Sequence, residues 1–255
     1  MTTALITGGT SGIGAAYARA LAERGNDLVL VARDTSRLEA VAHELREKHG
    51  VRVETISADL SVRDDVLRVA ARLEETARPV DILVNDAGFG WHQSLLDRDS
   101  SIQENALKVM CLAVVILGGA AGRAMKARGQ GRIVNISSLS AWIAQGTYSA
   151  VKIYVRTYSE GLSAELHGTG VTVTAVCPGW VRTQFHRRAG IRTNAIPGFI
   201  WVDADRMVAE SLRDIDKGKR ISIPARRWKV AAFAASHVPR GAVLFFSRML
   251  SRSRD

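Results

Sequence analysis

Hydrophobic and polar positions alternate along the chain as short β-branched runs followed by longer amphipathic segments. Thr3-Ala4-Leu5-Ile6, Leu28-Val29-Leu30-Val31, Val51 to Ser57 and Asp81-Ile82-Leu83-Val84 are near-continuous apolar runs bounded by turn residues, the pattern of strands covered on both faces. Between them the period becomes helical. Leu38, Val41, Ala42 and Leu45 share one face behind Ser36 and Glu39, which read as a capping box. Ser61 is the expected cap of a helix carrying Val66, Val69, Ala70 and Leu73, closed by Pro79. A long helix is predicted from about 99 to 126, a strand over 132–136, a helix over 147–167 and a strand over 171–177, stopped by Pro178-Gly179. Residues 181–202 lack periodicity and read as a loop over a site. Asp203 is placed to cap a helix to about 216, and 220–223 makes a last short strand. Repeated βα units predict an α/β fold: a doubly wound parallel sheet of about seven strands, helices on both faces, and a ligand at the strand C-termini. No repeat or linker divides residues 1–255, which read as one domain with a core over about 3–224 and a tail over 225–255.

A hydrophobic content of 47% in 255 residues is enough for one large core. Cys111 and Cys177 each sit inside apolar runs, which implies no disulfide framework and suits a reducing, cytoplasmic setting. With a strand starting at residue 3, no signal peptide is expected. The most apolar helical run, 111–122, is too short to span a bilayer and is expected to be a buried helix. Charge changes the picture only at the end. The net charge is +10, yet residues 217–255 hold ten Lys/Arg against one acidic residue, so the body is nearly neutral and the tail strongly basic. That distribution, with no nucleic-acid motif, speaks against a nucleic-acid binder.

The first candidate chemistry follows the first strand. Thr7-Gly8-Gly9-Thr10-Ser11-Gly12-Ile13-Gly14 is a glycine-rich turn running into an alanine-rich helix. Such a turn brings backbone N–H groups and a helix N-terminus to an anion, most often a dinucleotide pyrophosphate. The Gly-x-x-x-Gly-x-Gly spacing is only a partial match to the commoner dinucleotide fingerprint. The second is Tyr148-Ser149-Ala150-Val151-Lys152, behind a strand ending in Asn135-Ile136-Ser137-Ser138. Residues four apart share a helix face, so an ammonium stands near a phenol, favours the phenolate and equips the tyrosine for acid/base work on an alcohol or carbonyl.

Together these pieces resemble the short-chain dehydrogenase/reductase family over about residues 3–224. The resemblance is carried by Thr7-Gly8-x-x-x-Gly12-Ile13-Gly14, Asp59-Leu60, Asn85-Asp86-Ala87-Gly88, Ser138, Tyr148-x-x-x-Lys152 and Pro178-Gly179, in order and at compatible spacings. It implies a Rossmann-type fold and hydride transfer between a nicotinamide cofactor and a carbonyl or alcohol. By that resemblance Tyr148 donates the proton, Ser138 hydrogen-bonds the substrate oxygen, and Lys152 binds the nicotinamide ribose and tunes Tyr148. The cofactor would lie along Gly8, Thr10, Ser11, Gly12, Ile13 and Gly14, then Asp59 and Leu60 at the adenine and Asn85, Ala87 and Gly88 at the next turn. Pro178, Gly179, Val181 and Thr183 would line its nicotinamide end, Thr183 holding the carboxamide. The resemblance also implies a homodimer or homotetramer built on the two long helices.

Arg33 ends the second strand, where a carboxylate would bind the ribose 2′-hydroxyl of NAD and an arginine suits the 2′-phosphate of NADP. Ala32 precedes it, and Asp34 reads as a helix-start residue, so NADP(H) is favoured. A solvated Arg33 is the alternative.

Three departures stand out. Met110 occupies the position where the family commonly carries a proton-relay asparagine. Ser138 and Tyr148 are only ten apart, which suggests a shortened loop and leaves Ser137 or Ser140 as sharers of the serine role. Asp86 stands where asparagine is commoner. Trp91, Trp142, Ile143, Trp180, Phe185, Phe199 and Trp201 fall in loops after strands and favour an apolar pocket for a hydrophobic ketone, aldehyde, sterol or acyl substrate. His92 and His186 could orient a substrate, and no metal site is expected. The alternative function is a nucleotide-binding regulatory or membrane-associated protein without turnover. The tail interleaves Trp228, Val230, Phe233, Val243, Leu244, Phe245, Phe246, Met249 and Leu250 with seven arginines and lysines, split by Pro239-Arg240-Gly241 into two expected helices. Packing on the body competes there with contact to an anionic membrane or an acidic partner.

Overall fold

A computed structural model describes residues 2–91, 93–185, 197–239, 241, 242 and 244. Its strands are β1 (Thr3–Thr7), β2 (Asp27–Ala32), β3 (Val53–Ser57), β4 (Ile82–Asn85), β5 (Gly131–Ile136), β6 (Val171–Val176), β7 (Val181–Arg182), β8 (Val202–Asp203) and β9 (Ile221–Ser222). Seven of them form one parallel sheet in the order β3-β2-β1-β4-β5-β6-β9, and β7 pairs with β8 apart from it. The chain runs outward from β1 to β3, then returns to lay β4 on the other side of β1. The order reverses between β1 and β4, the place where sheets of this kind leave a crevice outside the strand C-termini.

The apolar runs are explained by the two layers around the sheet. In β1, Ala4 and Ile6 enter one core while Leu5 enters the other. The same period-two split separates Leu28 and Leu30 from Val29 and Val31, and Ile82 and Val84 from Leu83. Both faces therefore need apolar residues. Helices α1 (Gly12–Glu23), α2 (Thr35–His49) and, later in the chain, Ala204–Asp216 supply the first layer. Helix α3 (Arg63–Glu74) and the long helix after β4 supply the second.

That long helix is α4 (Ser101–Leu107) and α5 (Ala113–Arg128), joined by a π-helical turn over Lys108–Leu112. Taken as one rod of 28 residues it is long and apolar enough to cross a membrane by length and composition, which the run 111–122 considered by itself is not. It serves as a core helix here: Ala113, Leu117, Ala120, Ala121 and Met125 pack in the second core. Helix α6 (Gly146–Glu165) covers β5 and β6, and α7 (Ala204–Asp216) starts at Asp203, whose side chain accepts from the N–H groups of Asp205 and Arg206. Two other caps differ from expectation. Asp34, not Ser36, caps α2 by accepting from Arg37 N, and Ser36 Oγ donates to that same carboxylate. Glu39 is drawn instead to Thr55 on β3 at 2.6 Å. Likewise Val62 occupies the cap of α3, while Ser61 folds back onto Asp59 through its N–H and its hydroxyl.

The tail begins with α8 (Arg226–His237), packed beside the 3₁₀ turn Leu139–Trp142. Its Trp228 joins the first core, whereas Val230 and Phe233 are 69% and 66% exposed. The expected second tail helix, with Arg240, Val243, Phe245, Phe246, Met249 and Leu250, lies outside the described residues apart from 241, 242 and 244.

Candidate active site

Register sets the floor of the crevice. Thr7 pairs with Asn85 and Asn85 with Asn135, so β1, β4 and β5 end at one level. Thr7 Oγ1 accepts from the N–H groups of Asp86 and Ala87, both at 3.1 Å, and ties the glycine turn to the turn after β4. Asn85 Nδ2 donates to Asn135 Oδ1, Asn135 Nδ2 to Ser159 Oγ, and Ser159 Oγ to Val155 O, at 2.9, 2.9 and 2.6 Å. This buried polar chain fixes α6 to two strands.

The glycine turn has the shape of an anion cradle. Gly8 has φ +72° and Gly12 φ +56°, values that side chains rarely adopt. A Cβ at Gly14 would run into Gly8 O and stand 2.8 Å from Asp86 Oδ2. Ser11, at the N-cap of α1, makes no side-chain capping bond, and in the first turn the Gly14 N–H is taken by the Asp86 carboxylate, which leaves the N–H groups of Gly12 and Ile13 as the ones suited to an anion. Thr183 closes the far side, its side-chain carbons 3.6 Å from where a Cβ of Gly12 would sit. These features fit a dinucleotide pyrophosphate. Past the ends of β2 and β3, Asp59 Oδ1 is engaged by Ser61, while Oδ2 faces Arg33 Nη1 at 4.0 Å, and the Arg33 side chain is 74% exposed. Leu60 is buried behind them.

Tyr148 projects from the first turn of α6. Trp91 meets its ring edge-on at 5.9 Å and Phe185 lies at 5.9 Å on another side. Lys152 Nζ is 5.6 Å from the ring centre and donates to Ile136 O at 3.0 Å. Burial pulls the Lys152 ammonium below the usual lysine range, opposed by the charge of Asp86. Burial pushes the Asp86 carboxyl up to about 7, against the pull of Lys152 and of the Gly14 N–H. Each charge is thus the other's compensation in a poorly solvated place.

Ser138 caps the 3₁₀ turn, its Oγ accepting from Ser140 N at 3.1 Å and contacting Ser140 Oγ at 3.2 Å. Ser137 is buried and donates to Lys152 O at 2.7 Å, so its hydroxyl is committed to holding α6. Of the two alternatives to Ser138, only Ser140 stands beside it. Met110 lies in the π-helical turn with its sulfur against Gly88, in a small apolar cluster with Ala106, Cys111 and Val151.

The expected apolar lining divides. Trp91 and Phe185 reach Tyr148. Trp180 and Trp201 pair with each other at 5.4 Å, Trp142 carries the Arg156 guanidinium at 4.5 Å, and Phe199 is exposed. Val181 is buried in β7, and Ile143 follows the 3₁₀ turn. His92 and His186 lie outside the described residues. Among the described residues no His, Cys, Asp and Glu cluster could hold a metal. Cys111 and Cys177 are buried free thiols, pushed up to about 11 and about 12 by burial.

A family model described as short chain dehydrogenase matches residues 2–193. The chain belongs to that family. Its sheet order and crevice are therefore those of a Rossmann-type oxidoreductase that uses a nicotinamide dinucleotide. A short-chain dehydrogenase from Sphingobium yanoikuyae solved in complex with NADPH is 35% identical, with a TM-score of 0.84 over 94% of this chain and 97% of that one. A bulky-bulky ketone specific alcohol dehydrogenase from Comamonas testosteroni is 33% identical, with a TM-score of 0.80 over 94% and 96%. Galactitol 2-dehydrogenase (L-tagatose-forming) of Cereibacter sphaeroides is 34% identical over 94% of this chain and 91% of its own.

Sequence reasoning passed over two features. The Asn85–Asn135–Ser159 chain was signalled by amides at the ends of otherwise apolar strands. The charge coupling of Asp86 to Lys152 had no local signal, because Lys152 is brought there from another element.

Proposed function

We propose that this short-chain dehydrogenase interconverts a hydrophobic ketone or aldehyde and its alcohol with NADP(H). The observation that carries this reading is the Tyr148 ring held between Trp91 and Phe185 with Lys152 Nζ 5.6 Å from its centre. When bound, the reduced nicotinamide supplies the hydride. Tyr148 gives its phenolic proton to the substrate oxygen, and Ser138 Oγ donates a hydrogen bond to that oxygen as charge develops on it. Lys152 favours the phenolate that remains, and its position at the end of β5 suits the ribose hydroxyls. Met110 offers no side-chain group for passing protons, so Tyr148 recovers its proton through other groups.

Two aromatic walls at the proton donor support an apolar substrate, as does the ketone-specific relative; the hexitol named for the Cereibacter relative points to a polyol instead. A panel of bulky ketones, acyl thioesters, sterols and hexitols, run with NADPH and NADH, separates these. Turnover of hexitols alone, or a preference for NADH, would overturn the substrate or the cofactor assignment. No turnover of any member would favour the non-catalytic alternative.

Two further properties belong to the same proposal. Exposed Leu107, Leu112 and Tyr154 on the long helices suit a homodimer or homotetramer interface, to be checked by sedimentation. Exposed Val230 and Phe233, next to Lys229 on α8, suit peripheral contact with an anionic membrane from the cytoplasmic side. Co-sedimentation with anionic but not neutral vesicles is expected, and equal pelleting with both would leave α8 only its packing role.

A further inference from the structure

Gly179 follows β6 in the Pro178-Gly179 pair, yet its φ is not among the left-handed ones, so its backbone does not call for glycine. What calls for glycine is Trp228. A Cβ at Gly179 would fall among the Cε2, Cδ2 and Nε1 atoms of that indole, well inside contact distance. The ring of a tail residue lies directly against the turn. The next residue back, Arg227, donates from Nη2 to Trp201 O at 2.9 Å. Trp201 immediately precedes β8. Helix α8 thereby touches the chain where it leaves β6, at Gly179, and where it returns into β8, at Trp201.

Both contacts lead to the site. Pro178 O accepts from Leu139 N at 2.9 Å, which joins the turn to the residue after Ser138. Val202 N donates to Trp180 O at 2.8 Å, which joins the two ends to each other, and Thr183 stands against Gly12 of the glycine turn. The start of α8 is itself fixed. Ala225 is the one non-glycine residue with a positive φ among those described, at +69°, and its N–H is held by Glu210 Oε2 at 2.7 Å. A backbone strained in this way persists only where its surroundings over-determine it. Trp228 Nε1 is buried with no acceptor among the described residues, so the flat ring rather than its N–H is what the position uses.

We propose that Trp228 is a positioning residue: it backs the Pro178-Gly179 turn and makes α8, the first part of the basic tail, a working part of the reduction site. The turn carries Thr183 on one side and the neighbour of Ser138 on the other. Loss of its backing displaces groups that face the nicotinamide and the substrate oxygen, while the glycine cradle and Arg33 keep their own supports. Small displacements of positioning groups are costly in rate.

The proposal rests on the reductase reading, and its test has one arm that does not. In full-length protein, Trp228→Ala should speed tryptic cleavage of the Arg182–Thr183 bond, after the exposed Arg182, by about tenfold or more, and Trp228→Phe should leave it near wild type. In the kinetic arm, with a ketone that the wild type turns over, Trp228→Ala should lower kcat/KM about tenfold or more, with NADPH affinity within about threefold. Trp228→Phe should recover most of that loss. Gly179→Ala should be as damaging as Trp228→Ala in the wild type but nearly silent in the Trp228→Ala background, because the methyl then has room. Unchanged cleavage at Arg182 would overturn the contact. Faster cleavage with unchanged kcat/KM, or additive losses from the two substitutions, would overturn the positioning role. Absence of turnover in the wild type would strike the reductase reading and with it the working role, while cleavage would still decide whether α8 holds the turn.

Discussion

Arg33 and Asp59 face each other at 4.0 Å just past the ends of β2 and β3, an opposed pair without a direct hydrogen bond. Asp59 is already engaged by Ser61, and Arg33 stands largely in solvent. The guanidinium is therefore lightly held, as the proposed pairing with a 2′-phosphate requires. Arg33→Ala is expected to weaken NADPH binding by roughly 1.5–3 kcal/mol, or one to two decades, and to leave NADH little changed. Fluorescence titration with both cofactors checks this, and equal losses for the two would refute it.

Tyr148→Phe keeps the ring between Trp91 and Phe185 and deletes only the transferable proton. Turnover should fall by about 10²–10⁴-fold with cofactor affinity nearly unchanged. Lys152→Ala should weaken cofactor binding as well, and it removes the partner of Asp86. Wild-type turnover by the phenylalanine variant would show that another group is the acid.

Asp86 gives a pH signature. Its carboxyl is raised from 3.8 to about 7 in the folded protein. Below the lower value the group is protonated in both states. Between the two the unfolded chain ionises while the folded protein keeps its proton, so stability falls as pH rises towards about 7, and the loss is complete above it. Asp86→Asn should therefore gain stability relative to wild type at about pH 8 and show little gain at about pH 4. Denaturant midpoints across that range measure the difference; a constant difference would mean that Asp86 does not ionise there.

The amide chain between strands should carry stability rather than chemistry. Asn135→Leu leaves Asn85 Nδ2 and Ser159 Oγ without their partner in a dry place. A cost of about 1–3 kcal/mol in unfolding free energy is expected, and a variant as stable as wild type would mean that water substitutes.

What was legible in the sequence was what repeats or what is local. The period-two division of Leu5 from Ala4 and Ile6 makes a two-sided sheet readable, and the glycine turn and the Tyr148–Lys152 spacing are contained within a few residues. Caps were less legible: Ser36 and Asp34 can both serve, and Asp34 wins because its carboxylate reaches Arg37 N while Glu39 is taken by Thr55. The π-helical turn around Met110 leaves no compositional trace. Least legible were relations between distant segments. Nothing near Gly179 announces an indole arriving from Trp228, and nothing near Asp86 announces Lys152.

The common level at which Thr7, Asn85 and Asn135 end has a consequence for how such an enzyme can change. Those three residues are stitched side to side and to α6, so the groups to which the proposed reaction assigns the proton rest on a stiff foundation. The walls that would recognise a substrate hang instead from turns, among them Trp91, Phe185 and the pair Trp180–Trp201. Stiffness and choosiness are thereby assigned to separable parts of one chain. New substrates can be acquired by altering the hanging walls, with the proton-handling geometry inherited untouched, and amide exchange should be slowest in the foundation and fastest in the walls.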